Sequence, residues 1–471
     1  MIRSYLTTAE RNVYRQYACL ALPRHTSYPC APYWREEYGA QEFRHDLLES
    51  AKEARPLSLY VHIPFCEKLC YYCACTKEIV PAHKRKENDP GTMLLEGLDI
   101  ETARLASLLG TREVHQVHLG GGSPTFLNAE QLERLWLLLA NRFHIMPDSE
   151  RAVEIDPRIT SREQLCTLRR LGFHRISLGI QDFSPAVQKA VNRLQSLEMV
   201  QQVVTWCREL GFGSINFDLI YGLPFQTLDS MADTLAKTIT LVPDRVAFYR
   251  LAVIPEIFRW QNVFRPKDLP AGDLPLDLNL LAIERFQKAG YEFIGLDHFA
   301  RPEEGLARAR RGQTLQRNFQ GMTTGKELDL VGLGPSAISQ LDAAFAQNDK
   351  TSAGWRDAVD KGLATERGLH LSKDDRLRRE LIQQLYGHGV VVKNALEQRF
   401  DIGFDDYFAV EQNRLHQLVD DGLVTLEPGM IRLTTPLGRL LVRVVAAVFD
   451  AYLPTNAYRE GLPANLSSKV G

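Results

Sequence analysis

Four cysteines fall within ten residues, at 66, 70, 73 and 75, in the stretch VHIPFCEKLCYYCACTK. The Cys66-x3-Cys70-x2-Cys73 spacing puts three thiols on one short loop. Three thiolates can hold three corners of a cubane [4Fe–4S] cluster and leave the fourth iron open to an outside ligand. Cys75 adds a fourth thiol, but only one residue separates it from Cys73, so joint ligation of one cluster would strain the chain. A structural zinc site is the plainer alternative. Zinc sites of this kind favour two separated Cys-x2–4-Cys pairs, and the sequence has no second pair downstream. Redox-active disulfide chemistry is the third reading. The other four cysteines (Cys19, Cys30, Cys166, Cys207) are scattered, which reads as a reduced cytoplasmic protein with one metal site.

Further polar groups sit where apolar strands end. Gly120-Gly121-Gly122 follows a strand-like run, and missing side chains let backbone groups approach a ligand. Glu154 lies in AVEID and Asp218 in SINFDLI. A carboxylate in such a strand faces a liganded or solvated lumen or pairs with a cation, because unpaired burial is costly. Gln181, Asp182 and Arg193 follow a fourth strand. Each alone could be an ordinary cap or ion pair; together they fall where one barrel mouth would gather them.

The elements that must position these groups alternate. LSLYVHI (57–63), VHQVHLG (114–120), AVEID (152–156), RISLGI (175–180), SINFDLI (214–220) and RVAFYRLAV (245–253) read as strands. Helical periodicity lies between them, as at 91–109 and 129–142. Such alternation predicts parallel βαβ units with right-handed crossovers, and a barrel whose active face lies at the strand C-termini. The expected organisation is an N-terminal extension (1–56), the barrel with its cluster loop and post-barrel elements (57–363), and a mainly helical C-terminal domain with a small β-wing (364–471). The tail PANLSSKVG is expected to fray.

Composition narrows the class. The 471 residues are 45% hydrophobic and 24% charged, with a formal net charge of −2. That balance supports a sizeable core and argues against general attraction to nucleic acid or an anionic membrane. No apolar run suffices to span a bilayer, and the first twenty residues are too polar for a signal peptide.

The cysteine spacing, with Tyr72 before the last cysteine, resembles the signature of the radical S-adenosylmethionine superfamily. There the open iron is chelated by the methionine amino and carboxylate groups, and an electron cleaves the sulfonium to give a 5′-deoxyadenosyl radical. A closer resemblance, over nearly the whole chain, is to the oxygen-independent coproporphyrinogen III oxidases (coproporphyrinogen dehydrogenases). It is carried by PRHTSYP (23–29), the cysteine stretch, HLGGGSPTFL (118–127), EIDPR (154–158), SLGIQDFSPAVQKAVNR (177–193), FDLIYGLPFQT (217–227), LDHFARP (296–302), QRNFQGMTT (316–324), GLGPSAIS (332–339) and DGLVTLEPGMIRLTTPLGRLLVR (421–443).

The resemblance implies an α/β fold, a partial (β/α)6 TIM-like barrel. It implies one [4Fe–4S] cluster on Cys66, Cys70 and Cys73 and two S-adenosylmethionine molecules. Tyr60, Gly121, Glu154 and Ile338 would serve the first, and Tyr72, Gly122, Ser123, Gln181, Arg193, Asp218 and Ala252 the second. Cys75 would lie near the second. The implied reaction is oxidative decarboxylation of two propionates of a tetrapyrrole, coproporphyrinogen III, to vinyl groups in haem biosynthesis. It needs an electron donor and an electron acceptor, and the expected state is a cytoplasmic monomer. Arg24, Arg301 and Arg317 are the candidates for the substrate carboxylates. His25 and His298 read as satisfied structural histidines.

The chain departs from the family pattern at His25, Leu251, Val253 and Met322, positions expected near the substrate. Ala74 and Thr76 also differ beside the fourth cysteine. Alternatives on the same scaffold are a C-methyltransferase or an anaerobic haem-opening enzyme. A haem-binding chaperone would lack Thr26–Pro29 and Cys75, and both are present.

Overall fold

The computed structural model describes residues 5–85, 89–325, 327–462 and 468–470. Six parallel strands form its centre: β1 (Leu57–Ile63), β2 (Glu113–Gly121), β3 (His144–Ile155), β4 (Arg175–Gln181), β5 (Ser214–Tyr221) and β6 (Arg245–Arg250). They lie side by side in chain order, each joined to the next through helical segments. The helix Ala129–Arg142 begins with an Asn128/Gln131 capping box, and Arg162–Arg170 with a Ser161/Gln164 box, so side chains at the turn after each strand fix where the helix starts.

The sheet extends on both sides. β7 (Glu292–Gly295) and β8 (His298–Ala300) form a hairpin whose β8 runs antiparallel to β6. The hairpin β9 (Gln316–Asn318) and β10 (Gly321–Thr323) stands apart as its own sheet. β11 (Asp329–Leu333) pairs parallel with β1, and β12 (Ile338–Gln340), β13 (Ala344–Asn348) and β14 (Thr365–His370) follow antiparallel. The result is one twelve-stranded sheet, ordered β14-β13-β12-β11-β1-β2-β3-β4-β5-β6-β8-β7. It therefore continues past residue 363, and helical structure takes over only at Lys373. The C-terminal helices carry the expected wing, with β15 (Val390–Val392), β16 (Val424–Glu427) and β17 (Met430–Leu433) paired antiparallel.

The barrel strands alternate. Leu59, Val61, Val117, Leu119, Val153, Ile155, Phe217 and Leu219 are buried beneath the helices, while Tyr60, His118, Glu154, Ser177, Asn216 and Asp218 occupy the other face. A polar inward face on parallel strands marks a lumen that binds something. The extension and the tail close one side of the molecule together. Leu22 N donates to Ser468 O and Val470 N to Leu20 O. The buried Arg443 guanidinium donates to the carbonyls of Leu22, Pro23, Ser468 and Lys469. Residues 468–470 of the tail are thus pinned rather than frayed, and 463–467 and 471 lie outside the described residues.

Candidate functional site

The loop after β1 carries the four cysteines. A two-residue parallel pairing of Phe65–Cys66 with Glu78–Ile79 closes its base. Neighbouring loops hold it from outside. Tyr71 N donates to Val191 O at 3.0 Å, Asn192 Nδ2 to Leu69 O at 2.7 Å, and Trp260 Nε1 to Cys73 O at 3.1 Å. Lys77 Nζ donates to Cys73 O and Cys75 O, and lies 4.1 Å from the centre of the Trp260 ring. The thiols are positioned by packing and hydrogen bonds of the chain itself.

All four thiols line one cavity with Tyr72, Gly121, Gly122, Ser123, Glu154, Gln181, Arg193 and Asp218. Tyr60 stands behind this group, stacked on His118, whose Nε2 lies 3.0 Å from Glu154 Oε1. Ala252 reaches it through Gln261, which donates to Ala252 O and to Tyr72 O. Ile338 does not line this cavity and packs beside Trp34 and Phe345 on β12.

The electrostatics suit thiolates. Arg158 Nη2 and Arg193 Nη1 each lie 3.7 Å from Cys70 Sγ. Asp156 sits between them, 2.6 Å from Arg158 Nη2 and 3.4 Å from Arg193 Nη1. Burial opposes its ionisation, but the two guanidiniums outweigh that and hold it well below the usual carboxylate range. Burial pushes the Cys66 thiol up to about 12, with Cys73 and Cys70 adding to the effect. A hydrogen bond between Cys75 and Cys73 holds Cys73 below the ordinary thiol range and pushes Cys75 above it. Three soft donors with Arg158, Arg193 and Lys77 around them fit a cluster whose thiolates need nearby positive charge.

Two carboxylates face the same space. Glu154 Oε2 accepts from Gly121 N at 3.2 Å. Asp218 accepts from Ser177 Oγ and Asn216 Nδ2, both at 2.9 Å; burial, then the Glu154 charge, raise it to about 6. The triglycine has a reason within the protein. Gly121 has φ +112°, and a Cβ there would meet the His62 ring at 2.8 Å; one on Gly122 would meet Phe65 O at 2.7 Å. The glycines let β2 close against the cysteine loop.

A second wall stands beside β5 and β6. Arg24 Nη1 lies 3.5 Å from Asp297 Oδ2, and its Nη2 donates to Arg250 O. Arg317 lies over the Tyr386 ring. Among the described residues, Arg317 Nη1, Arg250 Nη1, His298 Nδ1 and Gln320 Oε1 are buried without a hydrogen-bond partner. Burial lowers His298 to about 4, so it stays neutral. Tyr249 links the two walls, feeling Asp218 on one side and Asp297, Arg317 and Arg24 on the other.

Arg24 and Arg317 therefore meet, whereas Arg301 does not join them. β8 runs antiparallel to β6, which carries Arg301 to the opposite end of the barrel, where its N–H bonds Asp244 O and its side chain pairs with Glu303. Met322 packs with Ile294, Leu306 and Leu315, directly across the hairpin from Arg317. Leu251 joins the apolar group of Val187 and Ile220, and Val253 is exposed. His25 is satisfied, as expected, between Tyr386 and Asp450; His298 is not. The sequence reading missed Arg158, Lys77, Trp260 and Arg250. Arg158 lies inside EIDPR and Arg250 ends a strand, and those positions were the available signals.

Two family models match this chain. The radical SAM superfamily model matches residues 60–237, and the HemN C-terminal domain model matches 371–441. The oxygen-independent coproporphyrinogen III oxidase of Pseudomonas aeruginosa is 44% identical over 439 residues, covering 93% of this chain and 94% of that protein. Its counterpart in Escherichia coli is 43% identical over 436 residues, 92% of this chain and 94% of the relative. The solved structure of coproporphyrinogen III oxidase (HemN) from Escherichia coli, described as a radical SAM enzyme, superimposes with a TM-score of 0.87 at 41% identity. It covers 92% of this chain and 100% of that one.

Proposed function

This chain belongs to the oxygen-independent coproporphyrinogen III oxidase family, and from that premise we propose how its own residues divide the work. The enzyme is a radical S-adenosylmethionine oxidoreductase of haem biosynthesis with a [4Fe–4S] cluster. It acts on a tetrapyrrole, converting two propionates of coproporphyrinogen III to vinyl groups and giving protoporphyrinogen IX. When bound, the cluster and S-adenosylmethionine supply a hydrogen-abstracting radical, the part of the chemistry no side chain provides.

In this reading Cys66, Cys70 and Cys73 ligate the cluster. Arg158 and Arg193 offset the charge on Cys70, and Lys77 and Trp260 hold the loop. Two S-adenosylmethionine molecules are taken up, the first by Tyr60, Gly121 and Glu154 and by Ile338, whose backbone lies against Gly332, the β11 neighbour of Tyr60. The second is taken by Tyr72, Gly122, Ser123, Gln181, Arg193, Asp218 and Ala252, with Cys75 beside it. Arg24 and Arg317, joined by Arg250, receive substrate carboxylates, and His298 stays neutral in the same wall. Burial of that wall excludes water, which strengthens each guanidinium–carboxylate contact. The chain works as a cytoplasmic monomer that draws electrons from a donor and passes them to an acceptor. No helix among the described residues is long and apolar enough to cross a membrane.

The observation that carries this reading is the pairing of a four-thiol cavity with a wall of unpaired buried guanidiniums, both at the strand C-termini. Reconstituted protein would be incubated anaerobically with coproporphyrinogen III, S-adenosylmethionine and a reductant, and the product weighed by mass spectrometry. Loss of two CO2 per tetrapyrrole is expected. Added methyl groups, or an opened ring, would replace it with another radical reaction on the same scaffold.

A further inference from the structure

A second set of metal-ligand types lies outside the cluster site. His25, Cys30 and Asp450 bring one nitrogen, one sulfur and one carboxylate oxygen to within 4.8 Å of one another. His25 and Asp450 are buried, at 2% and 5% exposure, and Cys30 is partly so. The three come from far apart in sequence, two from the extension and one from just beyond the helix Val442–Val448.

Three features make this more than a chance cluster. Asp450 is a buried carboxylate with no arginine or lysine in ion-pairing range among the described residues. Its contacts are His25 Nε2 at 3.0 Å on Oδ2 and the Tyr452 N–H at 3.0 Å on Oδ1. His25 is a non-glycine residue held at φ +46°, a conformation that persists only where the surroundings enforce it. Its second nitrogen is already oriented, with Nδ1 3.2 Å from Tyr386 Oη, the outer-shell arrangement that fixes a metal-bound imidazole. The same turn also has a polar group to spare. Cys30 Sγ lies 3.5 Å from Ser27 O, and the Ser27 hydroxyl is buried without a partner.

We propose that His25 Nε2, Cys30 Sγ and Asp450 Oδ2 form a binding site for a divalent transition metal, zinc by its donor set. A thiolate, a carboxylate and a neutral imidazole carry two negative charges, so a divalent ion makes the buried assembly neutral. That removes the desolvation penalty an uncompensated Asp450 pays alone. Binding releases the thiol proton, and the neutral imidazole ligates through Nε2 as the tautomer with its hydrogen on Nδ1, facing Tyr386. Mixed sulfur, nitrogen and oxygen ligation excludes magnesium and calcium, which take oxygen. The ion staples the turn that begins at Arg24 to the C-terminal helices, and so positions an arginine of the substrate wall.

Full-length protein with its cluster reconstituted anaerobically would be assayed for zinc and iron by elemental mass spectrometry. About one zinc per chain is expected in addition to the cluster iron, falling at least tenfold in Cys30→Ser and in His25→Gln with iron unchanged. Cobalt(II) added as a probe should give a thiolate-to-metal absorption band that Cys30→Ser abolishes and Cys66→Ala retains. Zinc content equal in the wild type and both variants, or a cobalt band indifferent to Cys30→Ser, would overturn the site. Cluster absorption separates ligand loss from misfolding, because a misfolded variant loses iron as well.

Discussion

The two ends of the barrel hold the same residue types with different shares of them paired. At the N-terminal strand ends four arginines have a carboxylate: Arg175 pairs with Glu150, Arg245 with Glu304, Arg208 with Asp244 and Arg301 with Glu303. At the C-terminal ends Asp156 is matched by Arg158 and Arg193, but among the described residues Arg250 and Arg317 have no carboxylate in range, Arg24 shares Asp297 at 3.5 Å, and Asp218 and Glu154 have no arginine or lysine in range. Matched charges close and stabilise the base of the barrel. Unmatched ones at the mouth raise the energy of the free protein, and ligands relieve it.

Four substitutions test this contrast. The largest effect on stability belongs to Arg245→Leu, which leaves Glu304 buried without its cation. It should cost about 3–5 kcal/mol in chemical denaturation. Arg317→Gln removes an uncompensated buried charge at the mouth, so stability should hold or rise. KM for the tetrapyrrole should climb tenfold to a hundredfold, about 1.4–3 kcal/mol of lost binding. If Arg317→Gln destabilises as much as Arg245→Leu, the contrast between the ends fails.

Asp218 sharpens it through pH. Its folded pKa, about 6, lies above the ordinary carboxylate value, so the folded state binds the extra proton between about pH 4 and 6. The protein without S-adenosylmethionine is therefore most favoured below that window and loses stability as pH rises through it. In Asp218→Asn that loss should vanish, a relative gain of about 3 kcal/mol above pH 6.5 in urea unfolding. Cofactor affinity should fall in the same variant. Parallel stability curves for the two proteins from pH 4 to 7 would count against an unrelieved carboxylate. The smallest effect is expected from Met322→Tyr, which overfills the apolar group of Ile294, Leu306 and Leu315. It should cost about 1 kcal/mol in thermal unfolding and change turnover less than threefold.

Much of this was legible in the sequence because it is local. β1 was read at its observed bounds, and β2, β4 and β5 to within a residue or so, since alternation and a terminating glycine or proline mark a buried parallel strand. The cluster loop and the inward carboxylates followed from spacing and from the cost of burying charge. What escaped depends on pairing between distant segments. Arg301 shares a motif with Asp297 and His298, yet a short antiparallel strand carries it to the far end of the barrel. The sheet's growth to His370 and the docking of Ser468–Val470 on Leu20–Leu22 are contacts across hundreds of residues, and no local pattern announces them.

The Arg443 clamp has a consequence for the order in which the enzyme is made. The carbonyls it gathers come from the first strap of the chain and from residues 468 and 469. A nascent chain can complete β1 to β6 and the cysteine loop while that strap is still loose. The turn bearing Arg24 gains its last contacts once residues 468–470 have been synthesised. During translation, the strands that carry the cysteine loop can thus pair before the Arg24 turn has its full set of contacts.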